Sequence, residues 1–195
     1  SLYFDGSTYG LTESGEDIDA IAFAPNGNLV ISTLGKFEDN PPGISGRDED
    51  LFEFDDGTWS LYFQGKNNGM GSDNEDIWGA WIDADSGAIH LSTKGNYALR
   101  SGMSGDSDDI FVCTASALGA TTACTDSLFW DGDTTAFGGE RIDGIGMGAD
   151  FPASVGTNTP VGPSLIEDRS EVEQPEAFDE SQDEDELDGG EEAET

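Results

Sequence analysis

Apolar residues along the first 148 positions occur in short runs of about five to seven, separated by Gly, Asn, Asp and Pro. Runs of this length bounded by turn residues predict β-strands, because an amphipathic helix needs a longer stretch with a period near 3.6. Turns are expected at residues 25–27 and 55–57, and a long loop through residues 41–43. The first four predicted strands are Ile18 to Phe23, Leu29 to Thr33, Leu51 to Phe54 and Trp59 to Phe63.

Several of these strands, such as Trp59 to Phe63, carry apolar residues on both alternating faces. A strand of this kind needs cover on both sides of its sheet. Small four-stranded sheets that stack face to face are the blades of propeller-type folds. We therefore predict an all-β fold built from antiparallel, four-stranded, blade-like repeats.

The pattern recurs along the chain at an interval of about 60 residues, which indicates a tandem repeat. Glu16-Asp17-Ile18 recurs in the next unit as Glu75-Asp76-Ile77 and in the one after that as Glu140-Arg141-Ile142. Leu2-Tyr3-Phe4 likewise recurs as Leu61-Tyr62-Phe63 and Leu128-Phe129-Trp130, and Asp50-Leu51-Phe52 as Asp109-Ile110-Phe111. The repeat region, residues 1–148, thus contains about two and a half units: 1–59, 60–126 and 127–148.

An array of two and a half blades is too short to close a propeller ring, which typically needs at least four. The region opens with a last-strand sequence at Leu2 to Gly6 and closes with a first-strand sequence at Ile142 to Met147. Unpaired strand edges favour pairing with another chain. We expect further copies of the chain either to complete a ring or to add head to tail into a filament.

The repeat resembles the blade-like repeats of exported and cell-surface bacterial proteins, many of them uncharacterised. The segments that carry the resemblance are Glu16-Asp17-Ile18-Asp19-Ala20, Asp48-Glu49-Asp50-Leu51-Phe52 and Trp59-Ser60-Leu61-Tyr62-Phe63. The resemblance covers about residues 1–148. It implies a propeller-type fold and a location outside the cell, and it implies no activity.

The charge of the chain is extreme, with 42 acidic and 7 basic residues and a net charge of −35. Residues 149–163 have the composition of a linker, and residues 164–195 form an aperiodic acidic tail with 15 of the acidic residues. Such a tail is typical of a solvated, disordered segment, or of one that orders on a partner or a metal ion. The repeat region is itself strongly acidic, so nucleic acids and anionic lipids are not expected partners.

Acidic residues recur at the same places in each repeat: the end of the fourth strand and the starts of the first and third strands. In an antiparallel four-stranded sheet these places share one edge. Clustered carboxylates repel one another unless they protonate or bind a cation, and calcium prefers hard oxygen ligands of this kind. Adaptation to a salty habitat is the alternative cause of the acidity. The candidate calcium ligands are Asp5, Glu16, Asp17, Asp48, Glu49, Asp50, Glu75, Asp76, Asp108, Asp109, Asp131 and Glu140.

The only two cysteines flank the predicted loop Thr114 to Ala123: Cys113 lies in a predicted third strand and Cys124 just before a predicted fourth strand. This placement favours a disulfide that staples one hairpin, and with it export to an oxidising compartment. Two buried thiols in a reducing compartment are the alternative. No run of about 18 apolar residues predicts a membrane span.

The sequence contains little that predicts an enzyme. His90, the only histidine, lies in an alternating strand and is expected to be structural. Nucleophile elbows, phosphate-binding loops and histidine-based metal motifs are not found. The segment Asp83 to Gly87 begins like a calcium loop but has Lys94 where the last acid would stand, so a hairpin turn is the better interpretation. Paired carboxylates could serve a glycosidase or lyase, but in a chain with so many acids such pairs are not a specific signal for either activity.

The leading hypothesis is a secreted structural protein that assembles into a filament or surface layer through strand edges and calcium-binding rims. The alternative is an extracellular propeller-type module that binds a glycan or a surface protein. That alternative would use exposed aromatic residues such as Trp78 and Trp81, which we otherwise expect to pack between blades.

Overall fold

The computed structural model describes residues 2–38 and 43–148. The predicted linker, 149–163, and the predicted acidic tail, 164–195, lie outside these residues. The described part is all-β, as predicted, with twelve strands, three short 3-10 turns and no α-helix. The strands are β1 (Ile18–Phe23), β2 (Leu29–Thr33), β3 (Phe37–Glu38), β4 (Ser45–Gly46), β5 (Asp50–Asp55), β6 (Thr58–Gln64), β7 (Ile77–Ile82), β8 (Ile89–Thr93), β9 (Tyr97–Ala98), β10 (Ser104–Gly105), β11 (Ile110–Ala117) and β12 (Ala123–Trp130).

Two four-stranded antiparallel sheets contain most of these strands. Sheet 1 has the order β1-β2-β5-β6, and sheet 2 has the corresponding order β7-β8-β11-β12. The four strands predicted in the first repeat are therefore confirmed, with ends that differ by up to one residue. The long loop of each repeat contains a small two-stranded ladder that the sequence did not predict, β3 with β4 and β9 with β10.

The tight turns of sheet 1 form where the sequence predicts them. Gly27 has a φ of +87°, and the hairpin between β5 and β6 has positive φ at both Asp56 (+43°) and Gly57 (+88°). Two successive positive φ angles define the turn that best fits the twist of a two-residue hairpin, and Asp-Gly is a preferred pair for it.

The two sheets repeat one another down to their irregularities. The ladder of β1 with β2 shifts register between Ile18 and Ala20, and that of β7 with β8 shifts between Ile77 and Gly79. The corresponding ladders at the other side of each sheet also shift at equivalent residues, Leu51 to Phe52 and Ile110 to Phe111. A shared position for each bulge shows that the repeat extends to backbone geometry.

The main core lies between the two sheets, which pack face to face, with β1 beside β7. Val30, Leu51 and Phe63 of sheet 1 belong to the same buried cluster as Leu91 and Phe111 of sheet 2. Both faces of these strands are apolar because each repeat must pack on a neighbour. The described residues thus form an open stack of two sheets.

Residues near the start of the chain cover part of the other face of sheet 1. Phe4 and Leu11 pack against a second cluster that includes Phe52 and Trp59, and the Trp59 indole N–H donates to the Tyr9 carbonyl at 2.8 Å. Phe4 and Leu11 stand one repeat before Phe63 and Met70, which cover sheet 2 in the main core. Residues 2–11 therefore take the place on sheet 1 that residues 61–70 take on sheet 2.

Two predicted strand sequences do not form strands. Leu2 to Gly6 and Ile142 to Met147 lie outside all described ladders, because a strand needs a partner to complete its hydrogen bonds and neither finds one here. Ile142 is nevertheless placed as its repeat predicts. Its N–H donates to the Ser107 carbonyl at 3.0 Å, as the Ile77 N–H donates to the Asp48 carbonyl at 3.0 Å.

The hairpin of β11 and β12 is longer than predicted, since both strands extend into the expected loop and leave only residues 118–122 between them. This loop packs against the outer edge of sheet 1. Gly119 N–H donates to the Tyr62 carbonyl at 2.8 Å, and Gln64 N–H donates to Thr122 Oγ1 at 2.9 Å. The hairpin of the second repeat therefore covers part of an edge strand of the first.

Candidate functional site: the acidic rim

The predicted acidic positions lie at one edge of each sheet. In sheet 1, Ile18 at the start of β1 pairs with Thr33 at the end of β2, and Asp50 at the start of β5 pairs with Gln64 at the end of β6. Sheet 2 has the same arrangement. We call the strand ends and loops at this edge, residues 5–17, 33–38, 43–50, 64–76, 93–109 and 131–142, the rim.

Glu16 and Glu75, the first acid of each repeat, are buried and bind backbone N–H groups. Glu16 Oε2 accepts from Thr12 and Glu13 at 2.7 and 2.9 Å, and its Oε1 accepts from Glu38 at 3.1 Å. Glu75 makes the same three bonds, to Gly71, Ser72 and Ala98, at 2.7 to 3.0 Å. Burial alone would raise the pKa of Glu75, but these donors outweigh it and lower the pKa.

Asp50 and Asp109, which begin the third strand of each sheet, form a second repeated clamp. The two oxygens of Asp50 accept from Gly65 N–H and Arg47 N–H, both at 2.9 Å. Asp109 accepts likewise from Gly132 and Asp106, at 3.3 and 3.1 Å. Burial raises the pKa of both Asp50 and Asp109 despite these donors. The recurrence of these four acids thus has a structural cause that requires no metal ion.

A third group of acids lies where β1 meets β7. The Asp76 side chain is fully buried, accepts from the Trp78 indole N–H at 3.0 Å and lies 3.8 Å from Lys94 Nζ. Its other oxygen has no partner among the described residues. Burial, together with the charges of Asp19 and Asp48, raises the pKa of Asp76 to about 7.

Glu49 is buried beside Asp48, on the loop that leads into β5. Burial raises its pKa to about 7, and the neighbouring Asp48 carboxyl adds to the increase. Asp48 is half-buried, and its backbone carbonyl accepts from Ser32 Oγ at 3.1 Å. A buried acid with a pKa near 7 carries a proton for much of its time at neutral pH.

One set of carboxylates in the described residues is spaced closely enough for its oxygens to contact a single metal ion. Asp106, Asp108 and Asp133 each place an oxygen within 4.8 Å of the others, and Asp108 is only 1% exposed. We call this set the Asp106 cluster. The proximity of the Asp108 carboxyl raises the pKa of Asp106 to about 6.

Asp108 is the one candidate calcium ligand from the sequence that belongs to the Asp106 cluster. Asp106 and Asp133 were missed, because neither falls in a recurring acidic position. The remaining candidates are not members of this set. Asp131 follows β12, and Asp5 has the equivalent position after Leu2 to Phe4, where Ser7 Oγ donates to Asp5 at 2.6 Å and lowers its pKa. Asp17 and Glu140 are exposed.

Cys113 and Cys124 form the predicted disulfide, with Cα atoms 5.1 Å apart. Cys124 lies within β12 rather than just before it. The bond joins the two strands beneath the loop 118–122 and so braces the hairpin that reaches sheet 1.

The single histidine packs between aromatic rings. The His90 ring lies 4.9 Å from those of Trp81 and Phe129, edge to face with both. Burial lowers the pKa of His90, which favours the neutral form expected of a structural residue. Trp78 is half-buried, with the Arg141 guanidinium 5.3 Å from its ring centre.

Comparisons with protein-family models, curated proteins and solved structures found no match to this chain. Among the described residues, no helix has the length and hydrophobicity needed to cross a membrane.

Proposed function

We propose that the chain is a secreted structural repeat protein that self-assembles by stacking its sheets on those of other copies in a propeller-like array. The observation that carries the proposal is that residues buried between sheets 1 and 2 have exposed equivalents at both ends of the stack. Each end therefore resembles one half of an existing interface.

The outer side of sheet 2, which we call the trailing face, includes Phe129 and Trp130 at the end of β12. Their equivalents at the end of β6, Tyr62 and Phe63, are 7% and 0% exposed because sheet 2 covers them. Phe129 and Trp130 are 40% and 38% exposed. A further sheet packed here would bury both, at roughly 25 cal/mol for each Å² of apolar surface removed from water.

The outer side of sheet 1, which we call the leading face, also has exposed apolar residues whose equivalents in the other sheet are buried. Ala80 and Ile82 of β7 are 2% and 4% exposed because they pack against sheet 1. Their equivalents Ile21 and Phe23 in β1 are 57% and 48% exposed. Exposed apolar residues grouped on one face are typical of interaction surfaces.

The two faces differ from each other, so a contact between the trailing face of one copy and the leading face of the next would be head to tail. Contacts of this type build closed rings or open filaments, depending on the rotation between neighbours. First strands that lie side by side, as β1 and β7 do, are the inner strands of a propeller. This arrangement supports the propeller-like interpretation.

Two segments of the chain limit how closely a neighbour could repeat the internal interface. Residues 2–11 occupy part of the leading face. Residues 144 and 145 lie beside Gly79 of β7, and Ser92 Oγ of β8 donates to the Ile142 carbonyl at 2.8 Å. A neighbour that reproduced the internal packing in full would displace both segments. Assembly is therefore expected to be slow and dependent on concentration.

The test uses two double variants of the full chain that change only exposed side chains. Phe129→Ser with Trp130→Ser removes the exposed aromatic side chains of the trailing face. Ile21→Ser with Phe23→Ser removes the exposed apolar side chains of the leading face. Leu118→Ser, at the exposed tip of the hairpin, is the matched control. Sedimentation velocity over a hundredfold range of concentration measures the size of the particles.

We expect the wild-type chain and the control to form large particles, and each double variant alone to remain monomeric. A mixture of the two variants should give heterodimers and nothing larger, because each keeps one working face. A wild-type chain that stays monomeric throughout this range would overturn the proposal. Variants that assemble as the control does would also overturn it.

The alternative function, a binding module, draws support from a groove of about 420 Å³ on the leading face. Aromatic residues line it, including Tyr3, Phe4, Tyr9 and Phe54, and aromatic rings suit the apolar faces of sugars. Binding to an immobilised glycan panel that disappears in Tyr3→Ala would favour this function over assembly.

A further inference from the structure

The Asp106 cluster contains a buried carboxylate oxygen that lacks a partner. One oxygen of Asp108 accepts from Gly139 N–H at 2.5 Å, whereas the other, Oδ1, has no hydrogen-bond partner among the described residues. An unpaired buried carboxylate oxygen is costly, because desolvation penalises the charge. Two further acids, Asp106 and Asp133, lie against it instead of a donor.

The first repeat has residues of opposite charge at two of these positions. Arg47 and Asp106 are equivalent, because each donates its backbone N–H to the third-strand aspartate of its repeat. Lys66 and Asp133 are equivalent, because each follows the glycine, Gly65 or Gly132, that donates to that aspartate's other oxygen.

The two cations of the first repeat are therefore replaced by two anions in the second. The buried acid between them is kept, as Glu49 in the first repeat and Asp108 in the second, with exposures of 2% and 1%. The second repeat thus has three acids at positions where the first has two bases and one acid.

We propose that the Asp106 cluster is a binding site for a divalent cation, and that calcium is the ion it takes. The cation would offset the two carboxylates that stand where the first repeat has Arg47 and Lys66. Within the described residues, the two ion pairs are Lys36 with Glu38 and Lys94 with Asp76. The protein itself therefore places no cation on the Asp106 cluster in that region.

The chemistry of the ligands favours calcium over the transition metals and magnesium. The cluster offers carboxylate oxygens alone, which hard cations prefer to the nitrogen and sulfur ligands of zinc or copper. Calcium tolerates irregular sets of six to eight oxygens and completes them with water and carbonyl groups, whereas magnesium demands near-octahedral geometry. Asp133 is exposed, so an ion and its waters can enter from solvent.

The test compares calcium binding by the full chain and three variants, each freed of metal with a chelator. Asp106→Asn with Asp133→Asn removes two ligands. Asp106→Arg with Asp133→Lys transfers the cations of the first repeat. Asp73→Asn with Asp85→Asn removes the same number of charges from exposed sites elsewhere and is the matched control. Titration calorimetry with calcium chloride, and melting temperatures with and without calcium, are the measurements.

We expect the wild-type chain and the control to bind one calcium ion at this site and to melt about 5 °C higher at saturating calcium. The Asp106→Asn, Asp133→Asn variant should bind calcium at least tenfold more weakly. The Asp106→Arg, Asp133→Lys variant should lose this binding and melt, without calcium, at least as high as the metal-free wild type.

A wild-type melting temperature indifferent to calcium would overturn the proposal. A calcium response in both cluster variants equal to that of the control would overturn it too, because the ion would then bind elsewhere. If the asparagine variant does not fold, the arginine and lysine variant decides the question alone. Magnesium chloride as the titrant, at the same ionic strength, should give a weaker response than calcium.

Discussion

Each repeat contains a buried glutamate whose carboxylate accepts hydrogen bonds from backbone N–H groups of the loops around it. Glu16 and Glu75 accept three N–H groups each, and two of the three come from the loop that precedes the strand. The third comes from the small two-stranded ladder of the same repeat, at Glu38 or Ala98. A single side chain thus ties the entry of the first strand to the long loop of the same repeat.

Glu75→Gln tests this clamp. A glutamine has one acceptor oxygen and places its amide donor against backbone N–H groups, so buried donors lose their partners. We expect the free energy of unfolding to fall by about 1–3 kcal/mol. Urea denaturation measures the change, with Glu140→Gln as the control at an exposed position of the same motif. Equal stability of the two variants would mean that the clamp contributes nothing.

Asp76 is the residue at which pH is expected to act. Its pKa is raised to about 7 by burial, so between pH 4 and pH 7 the folded chain keeps a proton that the unfolded chain has lost. Stability from this group therefore falls as pH rises through that window. The charges that face it are Asp19, Asp48 and Lys94, and the last of these opposes the shift.

Asp76→Asn should remove this dependence while keeping an acceptor for the Trp78 indole. Between pH 5 and pH 8 we expect the wild-type chain to lose roughly 2 kcal/mol more than the variant does. Urea midpoints at several pH values measure the difference. The exposed residue Asp73 supplies the control, Asp73→Asn, which should follow the wild-type curve. Parallel curves for Asp76→Asn and the wild type would contradict the assignment.

At the scale of elements, a glycine after the last strand of each sheet lets two loops meet. A Cβ on Gly65 would collide with the Glu49 carbonyl, and one on Gly132 would collide with that of Asp108. The close approach is what allows both glycines to donate to the aspartate clamp. It also explains why glycine recurs at this point of each repeat.

Gly65→Ala tests this approach. The added methyl group has no room, and the colliding atom is backbone that cannot move aside, so the variant should lose roughly 1–3 kcal/mol of stability. Gly71→Ala is the matched control, because open space surrounds it and its φ is not positive. Thermal denaturation of both variants gives the comparison. A Gly65→Ala variant as stable as Gly71→Ala would show that the loops separate easily.

The strands of sheet 1 were predictable from sequence because apolar runs and turn residues are local signals. The small ladders of β3 with β4 and β9 with β10 were not, since a two-residue strand carries almost no pattern. The role of Glu16 could not be predicted from the sequence either. Its partner Glu38 donates a backbone N–H, and because every residue except proline has this donor, the residue type does not reveal the bond.

The Asp106 cluster illustrates a different limit. Acids that recur at the same position in both repeats suggested a metal site, but the structure gives many of them backbone or structural partners. The Asp106 cluster instead includes two acids that break the repeat: Asp106 and Asp133 stand at the positions that Arg47 and Lys66 occupy in the first repeat. A signal was present in the sequence, as a reversal of charge between equivalent positions.

At the scale of the whole molecule, charge opposes assembly. The net charge of −35 makes each copy repel the next, and only counterions can screen this repulsion over distances of about 10 Å at 0.1 M salt. Stacked sheets gain apolar burial, which the screening of charge by salt does not weaken. The balance between the two makes the ionic strength of the surroundings a control on particle size.

The loop 118–122 has a consequence for how the molecule unfolds. Gly119 of the second repeat lies in a parallel bridge with Phe63 of the first, so the last strand of one repeat has hydrogen-bond partners that belong to the next. In linear repeat arrays, stability comes largely from such nearest-neighbour couplings. Hydrogen exchange at the end of β6 should thus report on the opening of the second repeat, and the two repeats should melt as one cooperative unit.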